Sequence, residues 1–325
     1  MGSEQRIFMS LVVPAYNEEE VIDAFYTRTS PILSSIDEAF EIIFVNDGSH
    51  DGTLDKVREL AQKDRRVRLI NLSRNFGKEI AVTAGLDFCK GEVVVVTDAD
   101  LQDPPEVIPQ MVELWRGGYD TVYATRSSRD GETFLKKATA EAFYRVIRHM
   151  TGIDIPRNTG DFRLMNRRTV EALKLLREQH RFMKGLFSWV GFKQTGILYK
   201  REPRVAGTTK WNYWKLWNFA IEGITSFSFA PLKVASYLGA VTALLAFLYA
   251  LFLIVRVLIF GKDLPGYASV MVAILFFSGA QLLVLGLIGE YLGRQFDETK
   301  RRPLYLVQDT IGIDDNVATL PKRAD

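Results

Sequence analysis

The densest group of residues suited to chemistry is the acidic run Asp98–Asp103, which directly follows an apolar stretch. Side chains two positions apart in an extended segment point the same way, so Asp98 and Asp100 are expected to face one ligand. Carboxylate oxygens with open coordination positions suit Mg2+ or Mn2+ bridging a diphosphate. The alternative is structural, because acidic turns are often solvated loops and Asp103 can cap the helix that Pro104 opens.

Two further polar groups, Pro14–Glu18 and Asn46–Ser49, each follow an apolar run nearer the N-terminus. A carboxylate at such a strand end can accept hydrogen bonds from a uracil imide or ribose hydroxyls, and Gly48 permits close approach of the backbone. Asn, Asp, Gly and Ser are also ordinary turn residues, so each group alone fits a simple turn equally well. Combined with the acidic run, they indicate a nucleotide site.

All three groups lie where short, nearly continuously apolar runs end, as expected for parallel strands covered on both faces. Amphipathic segments of helical length separate the runs. We therefore predict an α/β fold with a mainly parallel, doubly wound sheet that binds ligands beyond the carboxyl ends of its strands. The predicted strands are Met9–Pro14, Glu41–Asn46, Val67–Leu72, Glu92–Asp98, Thr121–Ala124, Phe162–Met165 and Gln194–Tyr199. The predicted helices are Glu18–Ser35, Thr53–Asp64, Lys78–Lys90, Glu106–Arg116 and Phe134–Thr151.

Two long uncharged stretches, Val234–Val255 and Tyr267–Gly289, exceed the roughly 20 residues that a helix needs to cross a hydrocarbon core. Buried core helices are the alternative, but helices of that kind usually show a polar stripe, which these lack. Basic residues flank both outer ends, so the positive-inside rule predicts a cytoplasmic catalytic domain and cytoplasmic termini. The aromatic segment Tyr213–Phe229 is expected to lie in the headgroup layer, and the chain beyond Val307 to be poorly ordered.

Composition excludes several classes of protein. The 325-residue chain has a formal net charge of +2 and no dense basic run with interleaved aromatic residues, so nucleic acid is not an expected partner. The single cysteine, Cys89, excludes an internal disulfide framework and paired-cysteine zinc motifs. Small residues within the two apolar stretches permit close helix contact and predict a homo-oligomer. These residues are Gly239, Ala243, Ala246, Gly279, Ala280, Gly286 and Gly289.

The order of the motifs carries a family resemblance. Along the chain they read VVPAYNEE, VNDGS, SRNFGKE, DADLQDPPE, TGDFRLM and GRQFDETKRRPLYLV. With these motifs the chain resembles glycosyltransferase family two. Within that family it resembles the polyisoprenyl-phosphate glycosyltransferases, which include dolichyl-phosphate mannose synthases and bacterial bactoprenol glucosyltransferases. The resemblance extends over nearly the whole chain, through both apolar stretches.

The resemblance implies a GT-A fold, an inverting transfer, and a divalent ion, Mg2+ or Mn2+. The implied ligands of the ion are Asp98, Asp100 and Gln102. The residues implied to contact the nucleotide-sugar are Pro14, Tyr16, Glu18, Asp47, Lys78 and Asp98. The residues implied to act in catalysis are Asp161, Asp100 and Arg126. The residues implied to bind the acceptor phosphate are Arg126, Arg204 and Lys210.

Two positions depart from the family pattern. Asn46 stands where an acid is common, and Gly207–Trp211 is a variant of a more usual G-x-S-K-Y. The role of Asp161 stays open between a base and an orienting carboxylate, because a polyprenyl phosphate with a second pKa of about 6 is already largely a dianion at neutral pH. For the basic residues, simple attraction to lipid headgroups is the alternative to catalysis.

The predicted organisation is a cytoplasmic GT-A domain at 1–205, juxtamembrane interfacial helices at 206–231, a transmembrane pair at 232–292 and a cytoplasmic tail at 293–325. The two transmembrane helices are expected at about 234–257 and 267–290. The predicted activity is inverting transfer of a hexose, glucose from UDP-glucose, to undecaprenyl, dolichyl or a related polyprenyl phosphate.

Three rival activities fit parts of the sequence. The same chemistry could use another donor, GDP-mannose or a UDP-aminosugar. A catalytically silent membrane sensor of nucleotide-sugars is a second rival, against which the intact Asp98, Asp100 and Asp161 argue. A processive polysaccharide synthase is disfavoured, because the sequence has no Q-x-x-R-W string and two spans are few for a polymer channel.

Overall fold

The computed structural model describes residues 6–37, 39–127, 156, 159–202, 228–261 and 266–313. The chain divides into two compact units, one formed by Met1–Ala220 with Pro303–Asp325 and the other by Ile221–Arg302. Several predictions lie outside the described residues. They concern Arg204, Lys210, the motif Gly207–Trp211, the helix Phe134–Thr151 and most of the aromatic segment Tyr213–Phe229.

In the described part of the first unit, eight strands form one mixed sheet in the order β7-β5-β6-β4-β1-β2-β3-β8. The central strands β4, β1, β2 and β3 pair in parallel, as do β5 and β7, whereas β6 is antiparallel to both β4 and β5. The strands are β1 Met9–Ala15, β2 Phe40–Asn46, β3 Val67–Leu72, β4 Val93–Val96, β5 Thr121–Arg126, β6 Thr159–Asn166, β7 Gln194–Tyr199 and β8 Val307–Ile311. The α/β fold and its mainly parallel centre are therefore as predicted.

Helices connect the strands and cover the sheet. Those of the first unit are α1 Ile22–Ile36, α2 Thr53–Lys63, α3 Lys78–Phe88, a 3-10 turn Pro105–Val107 with α4 Ile108–Arg116, α5 Arg167–Leu175 and α6 Met183–Trp189. All residues of β2 and β4 are buried, which explains why their sequences are almost continuously apolar. Helix α3 packs closely on the sheet at Gly85, where an added Cβ would lie 2.2 Å from Cγ1 of Val12.

Strand β8 corrects the prediction that the chain beyond Val307 is poorly ordered. Val307–Ile311 pairs antiparallel with β3 and extends the sheet at its edge. Asp309 forms an ion pair with Arg58 at 3.1 Å and accepts a hydrogen bond from the amide of the buried Asn71. Strand pairing and two polar contacts hold this segment, so its order depends little on the apolar periodicity that the prediction used.

The residues just before β8 are also fixed. The hydroxyl of Tyr305 donates to Asp87 at 2.7 Å, and its ring packs edge-on against Phe88. The carbonyl of Leu306 accepts a hydrogen bond from the backbone N–H of Ser73, at the end of β3. The chain that follows the second long apolar helix therefore forms part of the first unit and contacts the end of β3 and the C-terminal end of α3.

The second unit is built on two long helices, α7 Ala230–Phe260 and α8 Tyr267–Thr299. Both are long and apolar enough to cross a membrane, and neither is buried inside the structure, so they are not core helices of the first unit. They extend beyond the predicted spans at both ends of α7 and at the C-terminal end of α8. An added Cβ at Gly239, Gly279, Gly286 or Gly289 would meet no atom within 4 Å, and the predicted homo-oligomer stays a prediction.

Replacing Asp309 with Ala is expected to lower the free energy of unfolding by about 1–2 kcal/mol, because it leaves the buried Asn71 amide without an acceptor. Asp309→Asn keeps an acceptor and loses only the charge pair with Arg58, so it should cost less. Chemical denaturation of the full-length chain in detergent measures both values. Equal stability of the Ala variant and the unaltered chain would contradict this role of β8.

Candidate active site

The first two polar groups lie at one edge of the sheet. Residues Ala15 and Asn46 end β1 and β2 and are direct partners in the parallel register, so the loops that follow them leave the sheet side by side. Asn17 joins the two loops, because its backbone N–H donates to Ser49 at 3.0 Å and its side chain accepts from the N–H of His50 at 2.9 Å. Two loops predicted to contact a nucleotide are thus held together.

The predicted nucleotide contacts in the first loop differ in exposure. Pro14 lies within β1, whereas Tyr16 is exposed and its ring packs edge-on to His50, with ring centroids 6.5 Å apart. Glu18 donates its backbone N–H to Thr53 at the start of α2. The two exposed rings offer a surface on which a base could lie, and the assignment of these residues to a nucleotide stays a prediction.

The side chain of Asp47 binds the protein backbone in this structure. Its carboxylate is buried and accepts hydrogen bonds from the backbone N–H groups of Phe76 and Gly77, at 2.7 and 2.9 Å. Burial raises its pKa, and the two N–H donors act in the opposite direction. Gly77 has φ of +99°, a conformation that suits glycine. Asp47 therefore fixes the loop that leads into α3.

Asn46, one of the departures from the family pattern, forms a hydrogen bond with the neighbouring strand β3. Its amide donates to Asn71 at 2.8 Å, and Asn71 in turn donates to Asp309 of β8. A neutral amide suits this position, because it can both donate to Asn71 and accept, at 3.4 Å, from the N–H of Ser49. Asn46 thus connects the nucleotide loops to the C-terminal strand.

The centre of the site is the ammonium group of Lys78, the first residue of α3. It lies 2.6 Å from an oxygen of Asp98 and 2.6 Å from an oxygen of Asp161. Because β6 runs antiparallel to β4 with Val96 opposite Arg163, continuing the register by two residues brings Asp98 and Asp161 to the same place. Three residues predicted for the site are therefore in direct contact.

The charges in this cluster stabilise one another. Burial disfavours the charge of Lys78, but attraction to Asp161 and Asp98 outweighs burial and raises the pKa of the ammonium group well above its usual range. Burial likewise opposes ionisation of Asp161, and attraction to Lys78 and then Lys184 holds its pKa well below the usual range. Asp161 is therefore ionised at neutral pH, and its carboxylate is a weak base.

The acidic run has a different shape from the one predicted. Strand β4 ends at Val96, and the residues from Ala99 onward form a turn in which Leu101 has a φ of +55°, so Asp98 and Asp100 are not neighbours on one face of an extended strand. Asp100 accepts from the backbone N–H of Gln102 at 3.1 Å. The expectation that alternation along a strand aligns the two carboxylates is wrong.

The predicted ligands fit a divalent ion in part. In the described ranges no group of three or more His, Cys, Asp or Glu side chains could hold a metal by itself. Asp98 already contacts a cation, the Lys78 ammonium, and magnesium sites often use one or two carboxylates together with substrate phosphates. Asp98 and Asp100 fit such a shared site. The side-chain oxygen of Gln102 instead accepts from Arg201.

Asp103 is not the cap of the helix that follows it. The residue preceding the 3-10 turn is Pro104, and the buried Asp103 carboxylate accepts a hydrogen bond from the hydroxyl of Tyr199. Burial raises the pKa of Asp103, and the charge of Asp98 adds to the rise. Arg126 lies nearby, since an added Cβ on Gly160 would be 3.6 Å from its Nη2 and 4.0 Å from Asp103.

Three charged residues at the site were missed by the sequence reasoning. Arg163, two positions after Asp161 on β6, is buried, donates to the carbonyl of Gly160 at 3.0 Å and lies over the Phe187 ring. Burial lowers its pKa to about 10. Glu79 and Lys184 interact electrostatically with Asp161. Only Arg163 had a signal in the sequence, its two-residue spacing from Asp161.

Removing the shared cation is expected to destabilise the site. Lys78→Met removes the cation that lies between Asp98 and Asp161 and leaves Lys184 as a neighbouring charge of Asp161. We expect the free energy of unfolding to fall by about 1–2 kcal/mol, less than for a fully buried pair, because the Lys78 side chain is partly exposed. Adding Asp161→Asn to the same chain should recover much of the loss. Thermal unfolding of the full chain measures both, and a double variant no more stable than Lys78→Met would argue against the shared-cation arrangement.

The pH dependence of stability should report on Glu79. Burial, followed by repulsion from Asp161, raises its pKa from 4.5 to about 8. The folded chain then keeps a proton that the unfolded chain releases, so stability falls as pH rises from about 4.5 to 8, by at most about 1.4 kcal/mol per pH unit. Glu79→Gln should lack this part of the slope between pH 6 and 8.

The midpoint of thermal unfolding at several pH values measures the difference. The exposed Glu59 of α2 provides a matched control, and Glu59→Gln should keep the slope of the unaltered chain. Parallel pH profiles for Glu79→Gln and the unaltered chain would contradict the assignment.

Known proteins with similar sequences cover almost the whole chain. The uncharacterized glycosyltransferase sll0501 of Synechocystis is 57% identical over 95% of this chain and 97% of its own. The uncharacterized glycosyltransferase YkcC of Bacillus subtilis is 49% identical, with 95% and 96% covered. The bactoprenol glucosyl transferase of Shigella phage SfV is 47% identical, with 93% and 98% covered.

Family models agree with these relatives. Residues 10–174 match the model for glycosyl transferase family 2, and residues 230–295 match the GtrB C-terminal hairpin, which spans most of α7 and α8. The first match covers the sheet edge that carries Lys78, Asp98 and Asp161, and the mixed sheet is the GT-A-like fold that the resemblance implied. The hairpin match, with two helices able to cross a membrane, indicates membrane association. The chain therefore belongs to glycosyl transferase family 2, as its motifs predicted, and is a glycosyltransferase with a GtrB-type hairpin.

Proposed function

We propose that this chain transfers glucose from UDP-glucose to the phosphate of a polyprenyl lipid, with inversion at the anomeric carbon. The bond between that carbon and the donor diphosphate breaks, a bond from an acceptor phosphate oxygen forms, and the nucleoside diphosphate leaves. The name of the phage relative, a bactoprenol glucosyl transferase, supports this choice of donor sugar and acceptor.

The observation that carries the proposal is a pair of buried polar atoms near the Lys78 cluster. Oδ1 of Asp161 and Nε of Arg126 are buried and have no hydrogen-bond partner among the described residues. Leaving such atoms unpaired costs about 1–3 kcal/mol each, so a polar substrate group is a natural partner for them. A sugar hydroxyl suits the carboxylate oxygen, and a phosphate oxygen suits the guanidinium.

The donor is proposed to bind on the loops at the ends of β1, β2 and β4. Tyr16 and Glu18 would contact the base and ribose, and Asp47 would act by fixing the β3–α3 loop. Mg2+ or Mn2+ would be held by Asp98 and Asp100, with Gln102 as the further predicted ligand. The ion would stabilise the negative charge that develops on the departing diphosphate.

Asp161 is proposed to orient the reactants. Its pKa is held low by Lys78 and Lys184, which makes it a poor proton acceptor, and a dianionic phosphate needs little help from a base. The acceptor phosphate would bind Arg126 and, from the segment beyond the described residues, Arg204 and Lys210. These cations would offset repulsion between the two anionic substrates.

The proposed topology has the catalytic unit and both termini in the cytoplasm, with α7 and α8 as a transmembrane hairpin. Basic residues cluster at the outer ends of the pair, which supports this orientation. They include Lys233 near the start of α7 and Arg294, Lys300, Arg301 and Arg302 at the end of α8. The strand β8 follows directly, so it would return the chain to the catalytic sheet on the same side.

The test incubates membranes containing the full chain with labelled UDP-glucose, GDP-mannose or UDP-N-acetylglucosamine, and undecaprenyl or dolichyl phosphate. We expect labelled polyprenyl-phosphate glucose in the presence of Mg2+ or Mn2+, and none after chelation. Asp98→Asn should lower the rate at least about 100-fold. The exposed Asp55→Asn on α2 is the matched control and should leave the rate unchanged.

Each alternative has its own outcome. A different labelled donor as the best substrate would replace glucose and keep the chemistry. Full transfer by Asp98→Asn would contradict the role given to the acidic run. Binding of nucleotide-sugar without any lipid-linked product would favour the silent sensor.

A further inference from the structure

Arg28 of α1 binds the carboxylates of two separate segments. Its Nε and Nη2 donate to Glu106 at 2.8 and 2.9 Å, and its Nη1 and Nη2 donate to Glu202 at 2.8 Å each. Both contacts are bidentate, and the planar guanidinium fixes the direction of each carboxylate as well as its distance. A lysine could not hold both groups in this way.

The two glutamates come from different elements of the first unit. Glu106 belongs to the 3-10 turn that follows the acidic run, and Glu202 follows β7. The backbone N–H of Glu202 donates to the carbonyl of Gln102 at 3.1 Å, and the guanidinium of Arg201 donates to the side chain of Gln102. The chain leaving β7 thus lies along the C-terminal part of the acidic run.

A second contact joins the exit of β7 to the acidic run. The hydroxyl of Tyr199, the last residue of β7, donates to Asp103. From Tyr199 to Glu202, side-chain and backbone contacts therefore join the exit of β7 to Gln102 and Asp103. Two predicted site residues lie close in sequence to this contact. Arg204 is two residues after Glu202, and Asp100 is two residues before Gln102.

We infer that Arg28 is a positioning residue that holds the exit of β7, up to Glu202, against Gln102 and Asp103 of the acidic run without touching either substrate. This inference rests on the proposed function, in which Arg204 and Lys210 bind the acceptor phosphate. Arg28 binds Glu202, which lies two positions before Arg204 in the chain. A misplacement of about 1 Å among residues that position a substrate can change rates by as much as 100-fold.

The competing explanation is that Arg28 only stabilises the fold. Arg66 offers a matched control, because it also makes a bidentate contact, with Asp64, and that pair joins the end of α2 to the start of β3, away from the acidic run. If the fold alone matters, Arg28→Ala and Arg66→Ala should have the same kinetic consequences once their stabilities are matched.

The experiment measures steady-state transfer by the full chain in membranes, varying donor and polyprenyl phosphate separately. Arg28→Ala and Glu202→Ala should each raise the KM for polyprenyl phosphate about tenfold and change the KM for the nucleotide-sugar less than about twofold. The double variant should be no worse than either single variant, because the two residues act as one unit. Glu106→Ala and Arg66→Ala should leave the acceptor KM unchanged.

Hydrogen exchange gives a second measurement that does not depend on transfer. The amide of Glu202, which donates to Gln102, should exchange faster in Arg28→Ala, and the amides of β1 should keep their protection. Glu202→Ala leaves Arg28 paired with Glu106, so it tests the same idea if Arg28→Ala does not fold.

Three outcomes would overturn the inference. Proportional rises in both KM values that track the loss of thermal stability, as in Arg66→Ala, would show a purely structural role. Normal transfer with an unchanged acceptor KM would refute the positioning role and leave the proposed function standing. Failure of the unaltered chain to form any lipid-linked sugar would refute the proposed function, and this inference with it.

Discussion

The site depends on one electrostatic arrangement, the sharing of the Lys78 ammonium between Asp98 and Asp161. Two carboxylates so close together repel unless a cation lies between them. The shared cation connects the start of α3, the end of β4 and the start of β6, which are distant in sequence. It also keeps Asp161 ionised, and this decides what the carboxylate can do. An orienting role agrees with a lowered pKa, whereas a general base would need a pKa nearer to neutral.

The position of Lys78 is set by contacts on both sides of the loop that precedes it. Asp47, which directly follows β2, accepts hydrogen bonds from the N–H groups of Phe76 and Gly77, and the segment before β8 binds Ser73 at the other end of the loop. That segment follows directly after the long helix α8. The chain that follows α8 therefore adds the edge strand β8 to the sheet of the first unit and contacts the loop that precedes Lys78.

The sequence was informative where burial alone decides the structure. Strands such as β2 and β4 are covered on both faces, so their apolar runs identified them and the sheet edge at which ligands are predicted to bind. The prediction failed for a segment that is ordered by contacts with residues distant in the chain. Only Val307 of β8 is buried, and the strand is held by β3, Arg58 and Asn71. Arg58 and Asn71 are both more than 200 residues from their partner Asp309. No local pattern records such contacts.

The sequence also could not show which charged side chains contact one another. The sequence predicted Lys78, Asp98 and Asp161 as site residues, but it could not show that one ammonium group contacts both carboxylates. Lys78 is neutralised in this way, and Arg163 donates to the carbonyl of Gly160. A donor diphosphate and an acceptor phosphate are both anions and repel each other unless cations lie near them. The proposed reaction therefore needs positive charge beyond Lys78, which supports a divalent ion on the acidic run and the proposed roles of Arg126, Arg204 and Lys210.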